Sequence, residues 1–120
     1  MPLSYAKIQK NEATTTIAAY GETLTIVYYP SKVTDEIFVK FAGFDGITSV
    51  SMARDALLGL NEMLSGLIKS WDFFEDDEQK VMWPLTHDRL AQLELSFKMK
   101  CMYAIMSDVR PEAVVPQTQN

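Results

Sequence analysis

At 120 residues and 13.6 kDa the chain has room for one domain and not for two. Its 48% hydrophobic and 22% charged residues are those of a globular domain and exclude a disordered chain. Eleven basic against sixteen acidic residues leave a net charge of -5, which argues against nucleic acid and anionic membranes as partners. The single cysteine, Cys101, excludes an internal disulfide and a cysteine-rich metal site.

The first residues, MPLSYAKIQKNEATTT, lack the apolar core of a signal peptide. The apolar runs Ile26 to Tyr29 and Leu57-Leu58 are too short to span a bilayer. The expectation is a protein of a reducing cytoplasm. Residues 1–12 show no period and predict a flexible arm. From Ala13 the pattern turns β-like, with Thr14, Thr15, Thr16, Ile17 and Tyr20 suited to a pleated surface. Gly21-Glu22 predicts a tight turn. Thr23 to Tyr29 then alternates, so that Leu24, Ile26 and Tyr28 share one face of a second strand. Two such runs around a glycine predict a hairpin, closed by Pro30.

Thr34 can cap a short helix, with Asp35 and Glu36 in its first turn and Ile37, Phe38 and Phe41 on its apolar side. Gly43 suits its end, and Phe44-Asp45-Gly46 predicts a turn. From about Ser51 to Trp71, Ala53, Ala56, Leu57, Leu60, Met63, Leu64, Leu67, Ile68 and Trp71 recur at helical steps. Gly59 and Gly66 each weaken this helix by about 1 kcal/mol relative to Ala. Aromatic residues flank the acidic tip Glu75-Asp76-Asp77-Glu78, a pattern for a short hairpin or ordered loop. Thr86 starts a last helix, stapled by Leu85 and Leu90 and expected to run to Ser107 or Asp108. Pro111 stops it, and residues 109–120 are expected to be a disordered tail. The predicted fold is α+β over residues 13–108: a small N-terminal β-hairpin followed by a mainly α-helical domain with two long helices.

The chemistry of the chain is sparse. His87 is the only histidine, which excludes a multi-histidine metal site, and its position predicts a solvent-facing residue of a first helical turn. Cys101 shares a helical face with Leu90, Leu93 and Phe97 and is expected to be an inert core thiol. The acidic tip lacks the ligand alternation and central glycine of a calcium loop. It fits a solvated turn better, with a handle for a basic partner as a further reading. No enzymatic constellation, cofactor or metal site is expected. The last helix stands out. Leu90, Leu93, Phe97, Cys101, Ala104 and Ile105 form one stripe, and Leu95, Met99, Met102 and Met106 a second, expected on nearly the opposite side. Either both stripes are internal, or one meets a partner through adaptable methionines. Trp71, Phe73, Phe74 and Trp83 form a second candidate surface or a satellite core.

Over roughly residues 20–107 the succession of segments is characteristic. GETLTIVYYPSKVTDE joins a strand, a proline and a Thr-capped helix. LLGLNEMLSGLIKSWDFFEDDEQKVMWPLTHDRLAQL carries a Leu-rich helix, the exit Ile68-Lys69-Ser70-Trp71-Asp72, an acidic turn and Pro84-Leu85-Thr86 before the final helix. This order resembles the tail assembly chaperones of long-tailed bacteriophages. The resemblance implies a non-catalytic protein of the host cytoplasm that binds the tape measure protein and keeps it soluble until tail tube protein polymerises around it. It also implies a short form and a frameshifted longer form. The Met-rich last helix and the bulky Val81-Met82-Trp83 depart from the family pattern. The expected partners are the tape measure protein, the tail tube protein and a second copy of the chain, with no nucleic acid and no membrane. The expected protein-binding residues are Leu95, Met99, Met102 and Met106, then Trp71 and Trp83. The alternative function is a structural virion subunit of the phage tail or connector.

Overall fold

The computed structural model describes residues 2–46 and 49–109. All of the expected C-terminal tail except Val109 therefore lies outside the described residues. The segment expected as a loose arm carries a short helix, α1 (Tyr5–Lys10), because Ser4 caps it, its hydroxyl accepting from the Lys7 amide at 3.2 Å. None of its residues is buried. The Lys69 ammonium pairs with Glu12, tying the residues after α1 to the body of the fold.

Strands β1 (Ala13–Ala19) and β2 (Glu22–Tyr28) form the expected hairpin, in register from Ala13 opposite Tyr28 to Ala19 opposite Glu22. The connection is Tyr20-Gly21, one residue earlier than the sequence suggested. Both residues have positive φ, 54° and 78°, as a two-residue hairpin turn demands. Leu24, Ile26 and Tyr28 all face the core. A short 3-10 turn (Pro30–Lys32) leads to α2 (Asp35–Ala42), whose cap is Thr34 as expected, with Oγ1 3.4 Å from the Ile37 amide. A second 3-10 turn spans Gly43–Gly46.

Helix α3 (Val50–Leu67) starts at Ser49, whose hydroxyl accepts from the Met52 amide at 3.1 Å. It ends four residues before the predicted end. Ile68–Trp71 is instead a strand, β3, antiparallel to β2, with Trp71 opposite Ile26 and a bulge between Val27 and Tyr28. The open edge of β2 explains the switch. Its backbone groups need partners, and they find them in β3 and at its ends. The Tyr29 amide donates to the Leu67 carbonyl at 3.0 Å, and the Asp72 amide to that of Thr25 at 3.1 Å. The sheet order is β1-β2-β3.

The last predicted helix is also divided. α4 (His87–Leu90) is followed by tight turns over residues 91–94 and then by α5 (Leu95–Val109). No Gly or Pro marks the break. In one straight helix Leu90 would share the face of Phe97. The break lets α4 dock on α3, where Leu90 is fully buried, while α5 lies against the sheet. The result is an α+β domain. Its core joins Leu24, Ile26 and Tyr28 of the sheet to Leu60, Leu64 and Leu67 of α3 and to Cys101, Met102, Ile105 and Met106 of α5. The Tyr28 hydroxyl reaches through this core to donate to the Asp108 carboxylate. No described helix is long and apolar enough to cross a membrane.

Candidate functional site

The two stripes of α5 are the flanks of one broad buried face. At about 100° per residue, Met102 lies about 60° and Met106 about 100° from Ile105. The sheet and α3 together cover that width. Met102 and Met106 are 0% exposed, so the expected outer binding surface does not include them. Met99 is half-buried and packs against the core. Leu95, at the start of the helix, is 48% exposed. Of the expected methionine-rich stripe, Leu95 is exposed, Met99 is partly so, and the two C-terminal methionines are enclosed.

Trp71 belongs to the main core and Trp83 packs half-buried against it, so neither forms a free surface. Trp71 is buried, and its ring stands edge-on to Phe73 at 5.5 Å; Phe73 contacts Phe97 at 5.2 Å and Trp83 at 5.5 Å. Both indole N–H groups are used: Trp71 donates to the Trp83 carbonyl at 3.0 Å and Trp83 to the Arg89 carbonyl at 3.1 Å. Arg89 lies over the Trp83 ring at 4.3 Å and pairs with Glu75 at 3.2 Å. The acidic tip is thereby anchored. Glu75 and Trp83 donate backbone bonds across the loop to Val81 and Phe73, Asp76 Oδ1 accepts from the Glu78 amide, and Asp72 Oδ1 accepts from the Thr25 amide at 2.6 Å. The carboxylates of Asp76, Asp72 and Glu75 thus fasten the loop to itself, to the sheet and to α4.

Among the described residues no cluster of His, Cys, Asp and Glu is placed to hold a metal. His87 is half-buried at the first position of α4. Cys101 is buried against the sheet, and loss of solvent pushes its thiol up to about 12, so it stays protonated and unreactive at neutral pH.

The surface with binding character lies elsewhere, in a groove between α3 and the α4–α5 junction. Val50, Leu57 and Leu58 of α3 face Leu93 and Leu95 across it. Leu58 is 48% exposed, and Val50 and Leu57 are exposed as well. Covering an exposed leucine completely gains about 1.5–3 kcal/mol, so several aligned along one groove favour association. At its floor the Lys98 ammonium donates to Asn61 Oδ1 at 2.8 Å; both side chains are 3% exposed. Burial lowers the Lys98 pKa below the ordinary lysine value. Arg54 lies on the rim, and no carboxylate lines the groove among the described residues.

Of the six residues expected to bind, the groove therefore gathers one, Leu95. It adds Leu57, which periodicity assigned to the core, and Val50, Leu58, Arg54, Asn61 and Lys98, which sequence reasoning missed. Two signals pointed to them. Adjacent leucines cannot both lie on one narrow helical stripe, and Lys98 falls between the two apolar stripes of α5. Comparison of the chain with protein-family models, with curated proteins and with solved structures gives no match.

Proposed function

We propose that the protein is a bacteriophage tail assembly chaperone, which binds the helical tape measure protein in the host cytoplasm and keeps it soluble while tail tube protein assembles. The observation that carries this reading is the leucine-lined groove between α3 and α5 on a domain of net charge -5. A tape measure protein exposes long apolar helical stripes, and a groove of this kind covers such a stripe by helix-in-groove packing. The surplus negative charge keeps the complex dispersed. The family resemblance supports the same role through the segment Ile68 to Thr86, which contains β3 and the anchored acidic loop.

Coexpression with the tape measure protein of the same phage tests the reading. The client should stay soluble and copurify with the chain. Equal precipitation of the client with and without the chain would overturn the proposal. The second reading, a structural subunit of the tail or connector, draws on the outer edge of β1, which pairs with no strand among the described residues. It requires the chain to be present in purified mature particles, where a chaperone is absent.

A further inference from the structure

The sequence is acidic overall, yet the apolar groove between α3 and the α4–α5 junction carries two cations and, among the described residues, no carboxylate. Lys98 offers three N–H donors, and the side-chain acceptor it meets is the single Asn61 oxygen. A partner that covers the groove strips water from Arg54 and closes off Lys98 further. An apolar partner would leave both cations uncompensated, and a basic one would add repulsion. A carboxylate placed among the apolar anchors offsets that loss.

The groove follows α3 from Val50 to Asn61, which is about 16 Å, or three helical turns. This matches one amphipathic helix with anchors at three- and four-residue spacing. We infer that the groove takes an acidic amphipathic helix of a partner protein, with its leucine-type side chains on Leu57, Leu58 and Leu95 and a carboxylate directed to Arg54 and Lys98. This rests on the reading of the groove as the client site, and it names the charge of the client helix.

The probes are two synthetic helical peptides of about four turns, alike in their leucine positions. One carries Glu and the other Lys at the position that faces Arg54. Fluorescence anisotropy with the full chain should show the Glu peptide binding at least about tenfold tighter in low salt, with the gap narrowing as salt rises. Arg54→Glu changes an exposed side chain and should reverse the preference. Leu58→Glu should abolish binding of both peptides. Equal affinities, a preference for the Lys peptide, or no binding of either overturns the inference. So does light scattering that shows a dimer of the chain lost in Leu95→Glu, because a second copy would then fill the groove. The two proposals fail separately. Peptide discrimination without rescue of the tape measure protein removes the chaperone reading alone. Rescue that is unchanged by Arg54→Glu and Leu58→Glu removes the groove inference alone.

Discussion

The two ends of α5 face different environments. Its C-terminal half places Met102, Ile105 and Met106 in a core closed by the sheet and α3, with Tyr103 on the opposite side half in solvent against Phe41. Its N-terminal half places Leu95 in the open and Lys98 beneath a groove, beside the leucines of α3. The same helix thus contributes packing at one end and an incompletely covered, charged surface at the other. Met content alone does not distinguish the two, since adaptable side chains fill cores as readily as they serve partners.

The largest expected effect tests the closed end. Met102→Asp puts a carboxylate into a fully buried site and should unfold the domain, with a loss of more than about 4 kcal/mol against a typical total of about 5–15 kcal/mol. Thermal melting by circular dichroism checks it. A folded variant with a native melting temperature would return Met102 to the surface and end the contrast. Next in size, Met106→Ala should cost about 2–5 kcal/mol in urea unfolding through the cavity it leaves. Leu95→Ala, by contrast, should stay within about 0.5 kcal/mol, because the side chain is half in water already.

A smaller change of opposite sign is expected at the groove floor. Replacing the pair together, Lys98→Met with Asn61→Leu, removes a buried charge and its acceptor and should stabilise the fold by about 1–2 kcal/mol in the same urea assay. Destabilisation would mean that the pair supports the packing of α5 on α3 beyond its own bond.

The pH dependence separates the two ends most gently. At the closed end the Cys101 thiol is raised from 9.0 to about 12, and the Tyr28 phenol is raised as well, by burial and by its bond to Asp108. Both groups ionise earlier in the unfolded chain. Their contribution is complete below about pH 9 and is lost as the pH climbs from 9 towards 12. Lys98 works the other way. Its pKa is lowered in the folded chain, so the unfolded chain binds more protons in the alkaline range. Its burial penalty therefore fades as the pH rises towards the ordinary lysine value. Urea midpoints should fall above pH 9, and Lys98→Met should make that fall steeper. An unchanged slope in Lys98→Met would show that the groove floor is open to water.

Much of the architecture was legible in local pattern. The alternation of Leu24, Ile26 and Tyr28 specified the strand and its inner face, because strand side chains alternate regardless of context. Thr34 specified the start of α2 through its hydroxyl. The end of α3 was not legible, because Ile68 and Trp71 satisfy a helical stripe and a half-buried strand equally well. The edge of β2 made the choice. The break between α4 and α5 has no Gly or Pro to announce it. Of the residues expected to bind, the groove holds only Leu95. Leu93 and Lys98 join it from the same stretch of chain, but the facing side chains Val50, Leu57, Leu58 and Asn61 come from a helix distant in sequence.

By itself the sequence determined the hairpin, the capped helix, the identity of the main apolar positions and the acidic balance, since these depend on near neighbours and on composition. Only the tertiary structure decided which apolar positions remain uncovered. Enclosure depends on how wide a face the neighbouring sheet and helix cover, and that width is set by elements dozens of residues away.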